Sequence, residues 1–390
     1  MNQSSPTTAA VPQRGSRPLR VLVVMPLGEA LGGGEEMLRQ LLREGRSSGI
    51  DWSVAFLRPG PLVAEIQALG VTCHVVEAGR FRQVWRRFRA VIQLARLARE
   101  SGSDLVLGWM VAGQAMAGPA ALLAGRPSAW YQVATRGRDW LDRMANIWPA
   151  LGVLTLSRAA ADAQAAARPR RHIRLVHPGV SLAASDRTRS LDMTALRDRL
   201  GLPTSGPLVG IVGRLQRWKG IHVFLEAVAI ARRTDATLRA VVVGGPHETE
   251  PAYPGELQAQ VARLGIADAV TFAGFQTNAV EWMQTMDVVV HASDREPFGI
   301  VVIEAMALGK PIVAGDAGGP AEIVTDGVDG LLTPFGDANA LAAAISRFVS
   351  DPALMARVGR AAQVRALEFS DAAYAANVIA ALRDFVADDS

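Results

Sequence analysis

Residues 291–334 read HASDREPFGIVVIEAMALGKPIVAGDAGGPAEIVTDGVDGLLTP. The stretch leaves an apolar run, DVVVHAS, and crosses a short polar loop. Pro297 and Gly299 suit a turn into a helix that begins near Gly299. Two more apolar runs follow, PIVAG and GLLTP. Short, near-continuous apolar strands separated by helices predict a parallel sheet covered on both faces.

The same pattern extends outward. Upstream lie the strand candidates LVGIVGRL, LRAVVVGG and VTFAG, starting at residue 208. The first half repeats the alternation with LRVLVVMPL, WSVAFL, VTCHVVEA, DLVLGWM, SAWYQVAT and LGVLTLS. Helix candidates between them cover about 35–48, 61–69, 80–101, 113–124, 138–149 and 157–168. The fold class is α/β, with two tandem doubly wound domains and a cleft between them. Residues 1–18 are polar and read as a disordered tail. The first domain spans 19–180, a linker region 181–207 and the second domain 208–369. A last helix at about 370–388 is expected to pack back on the first domain.

The length of 390 residues suits two such domains. The uncharged run Leu105 to Gly125 is long enough to span a bilayer, but Gly108, Gly113, Gly118 and Pro119 break it into strand, loop and helix. The single Cys73 excludes an intramolecular disulfide and a thiolate metal cluster. A reducing, cytoplasmic setting fits best. Residues 1–190 carry a net +12 and the remainder −8, which returns the overall +4. A basic first half attracts an anionic partner, and charge alone does not choose among lipid, nucleic acid and phosphorylated ligands.

Three segments carry candidate chemistry. Glu296 falls in the loop above the second sheet, and Glu304 in the first turns of the helix. The amides of Phe298, Gly299 and Ile300 would point into the cleft as an anion site. Taken alone, the two acids also fit a solvated loop and a helix surface. In GIVGRLQRWKG a strand ends at Gly213, and Arg214 and Lys219 follow before a helix, placed to hold a diphosphate. Lys219 is one of only two lysines beside 39 arginines. In GEALGGGEEMLRQLL, Gly32, Gly33 and Gly34 let backbone approach a ligand closely. That segment is not the dinucleotide pattern GxGxxG, so a nicotinamide cofactor is poorly supported.

Together these segments resemble the retaining glycosyltransferases of family 4, over about residues 19–385. The paired glutamates seven residues apart match Glu296 and Glu304. A Gly-Arg-Leu…Lys-Gly stretch matches Gly213, Arg214, Leu215, Lys219 and Gly220. Gly-Gly-x-x-Glu matches Gly318, Gly319 and Glu322, and Gly-Gly-x-Glu matches Gly33, Gly34 and Glu36.

The resemblance implies a GT-B fold and transfer of a sugar, with retention, from a nucleotide sugar bound to the second domain. A UDP-sugar is preferred over GDP-mannose. Glu296 would contact the donor sugar near its reacting carbon, with Arg214 and Lys219 on the diphosphate and Glu304 on the ribose. Gly33 and Gly34 would cap the phosphates, and Glu322 would be structural. No cofactor is implied. The chain has no Asp-x-Asp pair, which disfavours the metal-dependent GT-A type, and no metal is required. The acceptor would be a glycan, a lipid-linked group or a small molecule.

One departure stands out. The family's first-domain histidine has no counterpart, since no histidine lies between His74 and His172. Trp109, Gln114 or Arg136 occupies that neighbourhood.

Residues 80–99 carry Arg80, Arg82, Arg86, Arg87, Arg89 and Arg96 with Phe81, Val84, Trp85 and Phe88 at helical spacing. This is either an ordinary sheet-covering helix or a face that meets anionic membrane. Nucleic acid is not expected, because no recognised reader motif is present. The alternatives to a transferase are a sugar-nucleotide epimerase of the same build and a non-catalytic nucleotide-sugar binder.

Overall fold

The computed structural model describes residues 17–29, 32–79, 82–134, 140–168 and 170–388. The expected tail lies outside these residues, apart from Arg17 and Pro18.

The first sheet has seven strands: β1 (Leu19–Met25), β2 (Ile50–Phe56), β3 (Thr72–Val75), β4 (Leu105–Trp109), β5 (Ser128–Gln132), β6 (Gly152–Thr155) and β7 (His172–Leu175). Its order is β3-β2-β1-β4-β5-β6-β7, and all pairings are parallel. Helices α1 (Gly33–Glu44), α2 (Pro61–Ala68), α3 (Val84–Glu100), α4 (Met110–Ala124), α5 (Trp140–Ile147) and α6 (Arg158–Ala167) connect them. Strand β7 was not expected. Its sequence, HIRL, is half polar, and it forms the sheet edge with no fully buried residue.

The linker region, 181–207, has secondary structure of its own. It holds α7 (Leu182–Arg189) and α8 (Met193–Arg199). Leu196 and Leu202 are buried, and Arg197 reaches under the second sheet to Thr285 O and Asp287. These helices show no long apolar run because each contributes only one or two buried side chains.

The second sheet runs β10-β9-β8-β11-β12-β13, again all parallel. Its strands are β8 (Leu208–Val212), β9 (Arg239–Val243), β10 (Val270–Gly274), β11 (Val288–His291), β12 (Ile312–Gly315) and β13 (Leu331–Thr333). The helices are α9 (Ile221–Ala231), α10 (Tyr253–Leu264), α11 (Ala279–Thr285), α12 (Ile300–Ala307), α13 (Pro320–Ile323), α14 (Ala338–Ser350) and α15 (Pro352–Ala366). Finally α16 (Asp371–Ala387) returns to the first domain, where Tyr374, Val378, Leu382 and Phe385 enter its core.

Both sheets reverse their winding at one point, between β1 and β4 and between β8 and β11. A crevice opens at each reversal, beyond the carboxyl ends of the strands, and takes ligands in folds of this type. The run from Leu105 to Gly125 is β4 turning directly into α4, without the intervening loop the glycines suggested. Met110 makes the turn at φ 57°, the one positive-φ residue other than glycine among those described. The Trp130 indole donates to its carbonyl at 3.1 Å and holds the turn. Among the described residues no helix is long and apolar enough to cross a membrane.

In α3 the packing stripe is Ala90, Leu94, Ala95 and Ala98. Trp85 and Phe88 do not pack on the sheet. They are 79% and 57% exposed and meet edge to face at 6.4 Å. Arg80 and Phe81 lie outside the described residues.

Phe385 is fully buried, and its ring lies where a Cβ on Gly152 of β6 would be. Phe385→Ala should therefore cost about 3–5 kcal/mol. Denaturant unfolding checks this, with the loss falling on the first-domain transition.

Candidate functional site

The site is built where β8 and β11 diverge. Beyond β8 the chain passes through Gly213 and Arg214 into a 3-10 turn, Arg217–Lys219. Gly220 ends the turn at φ 70°, and any Cβ there would stand 2.0 Å from the Ala292 carbonyl. Glycine is needed on both counts. This contact presses the Lys219 turn against the loop after β11, which carries Glu296.

Lys219 Nζ donates to Glu296 Oε2 at 2.5 Å, and His291 Nε2 lies 3.1 Å from the same oxygen. A carboxylate only accepts, so the imidazole places its proton on Nε2. All three side chains are largely buried. Burial pushes the Glu296 carboxyl upward, but the His291 hydrogen bond and the Lys219 charge outweigh it and hold it down at about 2. Glu296 is thus a buried, ionised carboxylate at the mouth of the sheet. Lys219 also lies over the Trp218 ring at 4.2 Å.

Arg214 has no ion pair among the described residues. Its Nη1 is 3.3 Å from His247 Nε2, and Gln216 and Thr249 flank the other ring nitrogen. His247 follows Gly244, Gly245 and Pro246 beyond the neighbouring strand β9. Sequence reading missed it, although its place just past an apolar strand was the available signal.

Gly299, at φ 107°, precedes α12 and leaves its first turn without a side-chain cap. The amides of Phe298, Gly299 and Ile300 find no acceptor among the described residues. They form an open anion-binding end beside Glu296 and Lys219. The Phe298 ring turns the other way, into the core.

Glu304 sits one turn along α12. Desolvation raises its carboxyl to about 7, and the Glu36 carboxylate of α1 adds to the shift from across the cleft. The first domain is therefore close. A Cβ on Gly33 would stand 2.7 Å from Ile300 Cδ1, and one on Gly34 would overlap Met110. Trp109 Nε1 donates to Gly34 O at 2.9 Å, so the glycine loop is pinned from below. Glu35 is buried there, and desolvation raises its pKa, partly offset by the Arg214 charge.

Of the candidates for the missing histidine's place, Trp109 is spent on this structural contact. Gln114 is fully buried against Gly108, with no hydrogen-bond partner for its amide among the described residues. Arg136 lies outside the described residues. Glu35 and His247 are the site neighbours that sequence reading did not single out; Glu36 entered only as the acid of the Gly-Gly-x-Glu match.

The geometry can now be set beside known proteins. Residues 192–365 match the family described as Glycosyl transferases group 1. The chain is 42% identical over 197 residues to a D-inositol 3-phosphate glycosyltransferase of Streptomyces avermitilis, covering 49% of this chain and 42% of that protein. It spans about half the length, or less, of the curated relatives it matches. Among solved structures, Anabaena HepE in complex with UDP and glucose is similar with a TM-score of 0.83 and 25% identity, over 94% of this chain and 100% of that one. Sucrose-phosphate synthase from Thermosynechococcus elongatus is similar in fold, with a TM-score of 0.77 at 22% identity over 95% and 100% of the two chains. Both likenesses span the two domains, so the architecture is GT-B.

The raised Glu304 carboxyl has a consequence for stability. Its pKa rises from 4.5 unfolded to about 7 folded, so its contribution is complete below pH 4.5 and is lost as pH climbs through 7. Glu304→Gln should leave the denaturant midpoint at pH 4 nearly unchanged and raise it at pH 8. Urea titrations at the two pH values test this.

Proposed function

We propose that this chain, whose residues 192–365 match the glycosyl transferases group 1, is a retaining glycosyltransferase that uses a nucleotide sugar and needs no metal. The observation that carries the reading is the ionised Glu296, bound by Lys219 and His291 beside an uncapped helix end in that domain. The donor diphosphate would lie against the α12 amides with Arg214 and Lys219 around it. Charge grows on the diphosphate as the glycosidic bond breaks, and fixed cations and amides oppose that cost in a site already organised. Glu304 would accept from the ribose hydroxyls. Glu296 would contact the donor sugar at the reacting carbon, and the departing phosphate would take the acceptor proton on the same face. A UDP-sugar is the favoured donor, consistent with the UDP in the HepE complex.

The acceptor enters from the first domain and is a glycan, a lipid-linked group or a small molecule. The exposed Trp85, Phe88 and Val84 lie among Arg82, Arg86 and Arg89. Aromatic side chains with cations around them suit the interface of an anionic bilayer, which supports a peripheral position at the inner face of the cell membrane.

Acceptor-dependent release of UDP from a UDP-sugar separates this reading from its rivals. An epimerase converts the donor with no acceptor, and a binder shows affinity without turnover. Glu296→Gln should lower kcat at least about 100-fold, while UDP affinity measured by calorimetry stays within about threefold. Full activity in that variant would overturn the assignment.

For the membrane face, Trp85→Ser/Phe88→Ser should reduce co-sedimentation with phosphatidylglycerol vesicles about tenfold or more, given the apolar area withdrawn. Turnover of a water-soluble acceptor should not change. Equal sedimentation of both proteins would refute the face.

A further inference from the structure

Glu322 belongs to the second domain but does its bonding in the first. Its carboxylate accepts from the amides of Arg158 at 2.7 Å and Ala159 at 3.1 Å. These are the first two residues of α6. Ser157 takes the third amide, that of Ala160, at 3.2 Å. A helix end is thus capped jointly by its own serine and by a carboxylate from the opposite domain. The helix dipole favours a negative charge at that end.

The other end of this contact leads to Glu296. Glu322 stands on the four-residue helix α13, directly after Gly318 and Gly319. Gly319 N donates to Glu296 O at 3.0 Å. A Cβ on Gly318 would stand 2.7 Å from that same oxygen, and one on Gly319 would fall 2.1 Å from Phe298 Cα. The two glycines therefore lie flat along the loop that presents Glu296. Arg365 fixes α13 from behind, donating to Ile323 O at 3.2 Å. A second interdomain contact meets the same loop. His177, at the end of the first domain, stacks on Phe298 at 5.3 Å between centroids.

We propose that Glu322 is a positioning residue: it ties closure of the two domains to the placement of the Glu296 loop. The inference rests on the transferase reading only for its catalytic consequence. Charge-assisted hydrogen bonds of this kind change a population by roughly tenfold to a hundredfold, which suits a contact that must break on opening and re-form on closing. A carboxylate serving only to cap its own helix would have no reason to reach across the cleft. The family motif Gly-Gly-x-x-Glu gains a mechanical meaning here, with the glycines holding the loop and the acid holding the other domain.

The test uses the full chain and approaches the contact from both sides. Glu322→Ala deletes the acceptor. Arg158→Pro deletes one donor, at a first helical position where proline is tolerated. Ser157 before it is already extended, at φ −148° and ψ 161°, as a residue preceding proline must be. Each variant should lower kcat about tenfold and leave the donor KM and the UDP affinity within about twofold. Small-angle scattering should show a larger radius of gyration. The double variant should be no worse than the worse single one, since both remove the same contact. Glu322→Gln, which keeps an acceptor, should be intermediate.

Unchanged scattering and kcat in Glu322→Ala would overturn the proposal. So would effects that add in the double variant, or a loss of UDP affinity as large as the loss of kcat. If Glu322→Ala does not fold, Arg158→Pro alone decides. If the chain transfers no sugar, the scattering shift and its non-additivity still decide the contact, and only the transferase reading fails.

Discussion

A buried carboxylate must be paired or neutralised, and Glu296 is paired. That constraint organises the second domain. It requires a cation at hydrogen-bonding distance, which Lys219 supplies from the loop after β8. It requires that loop to lie against the one after β11, which Gly220 permits because it has no side chain to meet the Ala292 carbonyl. It also draws in His291, the last residue of β11, as a donor. The arrangement keeps a negative charge fixed beside an anion-binding helix end. Lys219 neutralises that charge.

The lysine is explained by the same geometry. Its compact ammonium lies over the Trp218 ring and meets a single Glu296 oxygen, contacts that suit a point charge.

The first domain completes the site by close approach. Gly33 lets α1 meet Ile300, and Glu36 comes near enough to raise the Glu304 carboxyl. The net charges of the two halves matter little at this point. The acidic half holds the anion site, and local amides and cations set the field there. The basic excess lies elsewhere, including the exposed turn of α3 where Trp85 and Phe88 stand clear of the sheet.

Much of this was legible in the residues. Among the described residues thirteen strands form, and twelve follow apolar runs such as LVGIVGRL and DVVVHAS. The thirteenth, β7, is a polar edge strand and carried no such signal. The linker region holds two short helices that the sequence does not signal, because α7 and α8 bury too little to leave a periodic pattern. In α3 the spacing marks one long apolar stripe, but only Ala90, Leu94, Ala95 and Ala98 are buried, while Trp85 and Phe88 stay exposed. The order of motifs along the chain determined the family resemblance and the candidate residues Glu296, Glu304, Arg214 and Lys219, because strand-to-helix turns have local signatures. Which residues face one another was decided only by tertiary structure. Lys219 bound to Glu296, Glu36 beside Glu304, and Glu322 on the end of α6 join positions from 77 to 268 residues apart. Local patterns of period two or three and a half carry no information at that range, and only the winding of two sheets and the return of α16 bring those residues together.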